Sequence, residues 1–268
     1  NGFIPIPEIQ FLAYLHNAED QLRGEAATLP FFSEGRFTNP MVLRVPGLAY
    51  QKGFGGHFHN DNSLTIFRDI PGLILAVPSN GADAVCMLRT AVREAYYNGR
   101  IVVFIEPIAL YMTKDLFNAK DGKWAFEYPD IKEEIPIGEF KTYGNGNTLT
   151  IITYGNGLYL SLQAQKEIEK KIKKKIKVID LRWLSSINIQ GLLDSIRNCK
   201  NVLIVDECRR TGCHGENIFY QLKTLSDKEI KIKLHAAEDS FIPLGVAATA
   251  TLPSKDSIIE NSMAMINE

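Results

Sequence analysis

Short apolar runs alternate with segments of helical periodicity along the chain, and this alternation limits the possible folds more than any other feature. The runs at 73–77 and 101–105 carry no polar side chain and are too short to be helices of their own. A strand that is apolar on both faces has to be covered on both, as in parallel sheets with helices above and below. The sequence therefore predicts an α/β fold of the layer-sandwich type.

The alternation occurs twice, which predicts two doubly wound domains. At roughly 100–200 residues per domain, a length of 268 residues fits two domains better than one. The charged, proline-containing stretch 113–141 is interpreted as the connector, and we expect domains at 1–135 and 136–268. Strands are predicted at 40–46, 73–77, 101–105, 148–153, 177–181, 202–206 and 231–236, and helices at 9–29, 84–97 (with Ser79 and Asp83 as candidate caps), 158–175, 189–199 and 215–225.

Composition restricts the partners and the compartment. Thirty Lys and Arg residues oppose thirty-one Asp and Glu residues, so no overall charge attracts nucleic acid or an anionic membrane. No apolar run approaches the roughly 20 residues of a membrane helix. The absence of Cys-x-x-Cys pairs favours a reducing, cytoplasmic setting, and the cysteines are Cys86, Cys199, Cys208 and Cys213.

The first predicted helix, 9–29, carries a polar stripe beside its apolar face. Gln10 and Tyr14 lie one turn apart on it, which would place both side chains on the same side. The apolar face follows the three-and-four spacing of an amphipathic helix and consists of Phe11, Leu15, Ala18, Leu22 and Ala26.

The glycine-rich loop 53–62 holds the strongest candidate for chemistry. His57 and His59 lie in it, just after a predicted buried strand, where open α/β sheets bind their ligands. Imidazoles exchange protons near neutral pH and suit acid–base work. A His-x-His pair also occurs in metal sites, although no third ligand stands nearby, and the following Asn60, Asp61 and Asn62 could simply tie the loop down. The residues alone leave these interpretations open.

Three other motifs have less specific interpretations. The lysine-rich run 166–177 has no interleaved aromatic residues to stack on bases, so it is read as a solvated helix face. The turn at 154–157 is a phosphate cradle or, more simply, a tight strand-to-helix turn, since it lacks the full Gly-x-Gly-x-x-Gly pattern. The segment 208–214 supplies too few spaced ligands for a metal site.

Several short motifs, in order and over nearly the whole chain, resemble the beta subunit of the thiamine-diphosphate-dependent 2-oxoacid dehydrogenases. His59 lies twelve positions before Pro71, as that family's loop histidine does before its Pro-Gly-Leu motif. The motifs are Pro-Glu-Ile-Gln-Phe-Leu-Ala-Tyr at 7–14, Asp-Ile-Pro-Gly-Leu at 69–73, Val-Pro-Ser at 77–79, Phe-Ile-Glu-Pro at 104–107, Ile-Pro-Ile-Gly at 135–138, Val-Ile-Asp-Leu-Arg at 178–182 and Ala-Glu-Asp at 237–239.

The resemblance implies both a fold and site residues. The fold would be a truncated transketolase-like pyrimidine-binding domain followed by a transketolase C-terminal domain. His59 would face the reactive thiazolium carbon and assist reductive acyl transfer to the lipoyl group. Gln10 and Tyr14 would line the aminopyrimidine pocket, and His57 and Asn60 would help to position the substrate or the lipoyl arm.

The resemblance also implies cofactors and partners. The cofactor would be thiamine diphosphate, with Mg²⁺ bound by an alpha subunit or alpha half rather than by this chain, and with a possible monovalent cation. Further partners would be a second beta copy, a lipoyl domain and the dihydrolipoyl acyltransferase core. In this family the glutamate that activates the pyrimidine lies upstream of the motifs matched here. We therefore expect that the 268 residues are part of a longer beta subunit or fused protein and are inactive alone.

Two alternatives remain open beside this interpretation. A transketolase or deoxyxylulose-phosphate synthase relative would share the architecture and would act on sugar phosphates, although residues 60–62 are neutral or acidic rather than basic. A non-catalytic assembly module would use its C-terminal half only for docking. The residues do not distinguish between different 2-oxo acids.

Overall fold

A computed structural model describes residues 2–48 and 56–268 of the chain. The described residues form two β-sheets. The first is parallel, in the order β1-β3-β2, and its strands are β1 (Met41–Gly47), β2 (Leu73–Ala76) and β3 (Ile101–Pro107). All three were predicted: β2 and the run 101–105 of β3 carry no polar residue, as expected for strands buried on both faces, whereas β1 is apolar apart from Arg44.

The second sheet has the order β4-β6-β5-β7-β8, and all its pairs are parallel except β4 with β6. Its parallel strands match predictions, whereas the short, exposed β4 was missed. The strands are β4 (Lys141–Tyr143), β5 (Thr150–Thr153), β6 (Lys177–Asp180), β7 (Asn201–Arg209) and β8 (Lys231–Ala237).

The helices cover both sheets. α2 packs on one face of the first sheet, α3 and α6 pack on one face of the second, and α4 and α5 pack on its other face. The C-terminal helix α6 was not predicted; it begins with a capping box between Ser254 and Ser257, which lacks the Glu or Gln of the usual sequence signature. The helices are α1 (Thr28–Phe32), α2 (Gly81–Asn98), α3 (Asn156–Ile172), α4 (Ile189–Ile196), α5 (His214–Leu225) and α6 (Lys255–Asn267).

The predicted helix at 9–29 is helical but not continuous. It consists of a 3-10 segment (Leu12–Asn17) and a π-helical segment (Gln21–Ala27) that runs into α1. Tertiary packing explains the change of pitch, because Leu12 and Leu15 are buried on the end of β1. A Cβ atom at Gly47 would lie 2.6 Å from the Leu12 Cβ atom, so this close approach requires glycine.

One apolar core joins the two sheets. It combines the side chains on one face of the first sheet, such as Val45 and Val103, with those on one face of the second, such as Ile152 and Ile204. Residues 113–140 contain neither helix nor strand, as expected for the connector, and Leu116 is buried against the second sheet's other core. Each sheet also has its own helices on the face that is turned away from the shared core, which confirms the expectation of two α/β units.

Ser79 and Asp83 do not cap α2 as predicted. Asn80 caps it, since its side chain accepts from the Asp83 backbone N–H at 3.0 Å. Asp83 instead receives two hydrogen bonds of 2.9 Å from the guanidinium of Arg182, and Ser79 donates to Asp180 at 2.9 Å. These partners lie in the second half of the chain, about a hundred positions away. The sequence pattern around Ser79 and Asp83 cannot reveal them.

The interpretation of the lysine-rich run 166–177 as a solvated face is confirmed for its helical part but is wrong for Lys177, which is buried in β6 and donates to the Ser195 carbonyl. Ile168 and Ile176 are buried, whereas Lys166, Lys170 and Lys171 are exposed. The helix ends earlier than predicted, at Ile172. None of the helices in the described part of the chain is long and apolar enough to cross a membrane.

Candidate functional site

Residues 56–63, called the histidine loop, lie near the carboxyl end of β1, the edge at which parallel sheets bind their ligands. Residues 49–55, including Gly53 and Gly55 of the predicted glycine-rich loop, lie outside the described residues. The described part begins at Gly56, whose carbonyl accepts from the His59 backbone N–H at 3.0 Å and from the Asn60 side-chain amide at 3.1 Å. This places His59 in a short, hydrogen-bonded turn.

The imidazole of His59 packs on the N-terminal helical segment. Its ring meets the Phe11 ring edge-on, with centroids 4.6 Å apart and planes at 88°. The Tyr14 ring lies 6.1 Å away at 72°. The structure therefore brings together two of the predicted site residues, Tyr14 and His59. Phe11 was assigned to the helix's apolar face, and it is indeed buried, but its contact with His59 was not foreseen.

Gln10 is placed differently from its predicted position. Phe11 has extended backbone angles and the helical winding begins only at Leu12, so Gln10 and Tyr14 do not share a helix face as proposed. The Gln10 side chain is exposed and makes no hydrogen bond to another described residue. It remains next in sequence to Phe11, at the edge of the aromatic cluster formed by Phe11, Tyr14 and His59.

His57 and Asn60 differ in exposure. His57 is exposed and stacks on Phe58, with ring centroids 3.9 Å apart. Asn60 is only 3% exposed, and its amide holds the turn through Gly56. Whether either residue positions a substrate stays a prediction, while the structure gives Asn60 a role in the loop itself.

The downstream end of the loop is held by β7. The guanidinium of Arg209 contacts the side chains of Asp61 and Asn62 through Nη1 and that of Ser63 through Nη2. The Asn62 amide donates to the Glu207 carbonyl at 2.7 Å. Sequence reasoning did not find Arg209, because it lies in the other half of the chain.

Glu207 is a buried carboxyl next to this contact. Burial raises its pKa to about 8, so the group is protonated at neutral pH. Its Oε1 accepts from the backbone N–H of Asn156, the first residue of α3, at 3.2 Å. This carboxyl oxygen therefore occupies the N–H group that would otherwise face an anion. Together with the positive φ of Gly155, this supports the tight-turn interpretation of residues 154–157 over the phosphate cradle.

In the segment 208–214, Cys208, Cys213 and His214 are buried, whereas Arg210 and Thr211 between them are exposed. Cys208 lies 3.2 Å from the Tyr154 hydroxyl, which also donates to Asp206. Burial lowers the pKa of His214 to about 4, so its ring is neutral at pH 7. Across residues 2–48 and 56–268, no three His, Cys, Asp or Glu side chains are grouped so that they could hold a metal ion.

Comparisons with known proteins agree with this architecture. Residues 138–258 match the family model of the transketolase C-terminal domain. The chain is 30% identical over 272 residues to the pyruvate dehydrogenase E1 component subunit beta of Staphylococcus epidermidis, covering 99% of this chain and 77% of that protein. The subunit of the same name from Bacillus subtilis is 27% identical over 273 residues, with the same coverage.

A solved structure shows the same fold. A split-gene transketolase, described as an inactive beta4 tetramer, superposes with a TM-score of 0.71. The superposition covers 98% of this chain and 75% of that one at 16% identity.

Proposed function

Because the chain belongs to the 2-oxoacid dehydrogenase E1 beta-subunit family, we propose that its aromatic cluster is the acyl-transfer side of a thiamine-diphosphate site, with His59 as the catalytic residue. Membership confirms the resemblance found in the sequence motifs, and it makes the chain part of a thiamine-diphosphate-dependent 2-oxoacid dehydrogenase. The observation that carries the site proposal is the edge-on packing of His59 against Phe11 and Tyr14 at the carboxyl edge of the first sheet.

The geometry gives His59 a defined ring orientation and tautomer. The Gly56 backbone N–H donates to His59 Nδ1 at 3.4 Å, so in the neutral ring the proton resides on Nε2. Two aromatic neighbours restrict the plane of the imidazole. A fixed ring with its proton on a known nitrogen suits the delivery of a proton to a lipoyl sulfur as the acyl group is transferred.

The residues of the cluster fit one side of the cofactor. Tyr14 is half-buried and offers an aromatic face, and the exposed Gln10 amide offers both a donor and an acceptor, which are the groups that pack on and hydrogen-bond an aminopyrimidine. When bound, thiamine diphosphate supplies the electron sink for loss of the substrate carboxylate. This chain's own residues would then hold the ring and move a proton at His59.

The remaining assignments are supported less directly. Since the curated relatives are named as beta subunits of pyruvate dehydrogenase, we propose an alpha subunit as partner, Mg²⁺ held on that subunit, and pyruvate as the first substrate to assay. A second beta copy, the lipoyl domain, the acyltransferase core and a monovalent cation complete the proposal. A domain boundary near residue 135 is supported by the two sheets and by the family match that begins at 138. Four unpaired, buried cysteines support the cytoplasmic location.

The test separates acyl transfer from decarboxylation. His59→Ala in the complete enzyme should lower the rate of lipoyl-domain acylation on the order of 10²–10⁴-fold, the usual contribution of an acid–base group. Reduction of an artificial electron acceptor, which needs no lipoyl group, should fall much less. The matched control is His16→Ala, which changes an exposed histidine in the 3-10 segment that also contains Tyr14. Acylation at the wild-type rate by His59→Ala would remove the residue from the mechanism.

A further inference from the structure

Arg209, the last residue of β7, contacts the histidine loop of the first half of the chain. β7 pairs regularly with β8 up to Asp206 opposite Ala236, and pairing resumes only at Arg209 opposite Ala237. Glu207 and Cys208 are therefore extra residues in a bulge. Bulges change the direction in which the following side chain points, and here the Arg209 guanidinium lies on the loop.

That guanidinium engages three consecutive loop side chains. Nη1 lies 3.3 Å from Asp61 Oδ1 and 3.2 Å from Asn62 Oδ1, and Nη2 donates to Ser63 Oγ. The Ser63 hydroxyl in turn donates to Asp61 at 2.8 Å. Asn62 and Ser63 are almost fully buried, so these contacts are shielded from competing water.

The contact lies close to His59 along the chain. His59 is only two residues before Asp61, whose side chain contacts Arg209 and whose carbonyl accepts from the Leu48 backbone N–H at 3.3 Å. The bulge adds a second anchor beside Arg209, since the Glu207 carbonyl accepts from the Asn62 amide at 2.7 Å. The downstream end of the turn is therefore held by β7 as well as by Leu48, the residue that follows β1.

We propose that Arg209 is a positioning residue for acyl transfer, which acts through Asp61, Asn62 and Ser63 to fix His59 against the cofactor side of the site. This inference rests on the proposed role of His59. A planar guanidinium can serve three acceptors at once, whereas a lysine ammonium at the same place would reach fewer of them. The Arg209 side chain is 28% exposed and that of Asp61 only 12%, so removing the guanidinium leaves a largely buried carboxylate without its partner and should lower stability as well as the order of the loop.

The experiment compares Arg209→Ala with Arg210→Ala in the complete enzyme. Arg210 is the neighbouring arginine and is exposed. Arg209→Ala should lower kcat for lipoyl-domain acylation on the order of 10–100-fold, since misplacing a catalytic group by about 1 Å can cost about 100-fold. The KM for the 2-oxo acid should stay close to wild type, and the rates are compared at a temperature at which thermal melts show every variant to be folded. Arg209→Lys should recover only part of the rate, and Arg210→Ala should behave as wild type.

A double-mutant cycle decides whether Arg209 acts through His59. In the His59→Ala background, Arg209→Ala should have almost no further effect on acylation. An equal effect in both backgrounds, or an equal effect of Arg210→Ala, would overturn the positioning role while leaving His59 in place. Wild-type acylation by His59→Ala would instead overturn the proposed function itself.

A milder substitution covers the case in which Arg209→Ala does not fold. Ser63→Ala removes one acceptor of the guanidinium and leaves both charges. It should lower acylation in the same direction by a smaller factor, and an unchanged rate would contradict the proposal.

Discussion

The buried carboxyl of Glu207 should make the stability of the protein fall as the pH rises through neutrality. Its pKa is raised by burial from an ordinary 4.5 to about 8. Below pH 4.5 the folded and unfolded chains both hold the proton, so this group's stabilisation is complete. Between 4.5 and 8 only the folded chain holds it, and stability falls; above 8 both states are ionised and the loss is finished.

The size of this loss follows from the same values. One unit of pKa difference is worth about 1.4 kcal/mol, so ionising Glu207 inside the fold costs about 5 kcal/mol in total. Glu207→Gln keeps the shape and the acceptor for Asn156 but has no proton to lose. Its free energy of unfolding, relative to wild type, should therefore increase by about 1.4 kcal/mol per pH unit between pH 5 and 8.

Urea unfolding of both proteins at a series of pH values measures this difference directly. Other buried acids, such as Asp180, titrate equally in both proteins and cancel. Glu229→Gln changes an exposed glutamate and serves as the matched control. A difference between Glu207→Gln and wild type that stays constant from pH 5 to 8 would refute the reasoning.

Two further substitutions test the contacts that hold the fold. Asp83→Ala leaves the buried Arg182 guanidinium without its two-point partner and should reduce the free energy of unfolding by about 3 kcal/mol; a loss in urea titration under about 1 kcal/mol would contradict this. Gly157→Ala places a Cβ atom 2.1 Å from Thr153 Oγ1 and should cost about 1–3 kcal/mol. Because the clash is with that hydroxyl, adding Thr153→Ala should recover part of the loss in thermal melts, and a strictly additive double mutant would count against it.

The fold was predictable wherever one segment's own pattern decides its structure. β2 and β3 are apolar on both faces and stand out in any reading of the sequence. β4 was missed because it has only three mostly exposed residues, and it is a strand only through its pairing with β6. The caps predicted at Ser79 and Asp83 were wrong for the same reason. These two side chains bind Asp180, the last residue of β6, and Arg182, which follows it closely.

The candidate site was predictable in part for similar reasons. The motifs led to His59 and Tyr14, and the structure places their rings together. The assumption of regular α-helical pitch misplaced Gln10, because burial of Leu12 on β1 imposes a different winding. Arg209 could not be found at all, since its role depends on a strand bulge that pairs it with residues about 146 positions earlier.

The apolar core that joins the two sheets has a consequence for how this chain can be recombined with its relatives. A cut at the connector looks harmless, because residues 113–140 have no helix or strand. The side chains on the facing sides of the two sheets pack against each other in one core. Replacing one half by that of a relative at 30% identity would therefore put poorly fitting side chains throughout this core. The two halves therefore have to be exchanged as one unit. The histidine loop belongs to that unit, because it contacts Phe11 in the first half and Arg209 in the second.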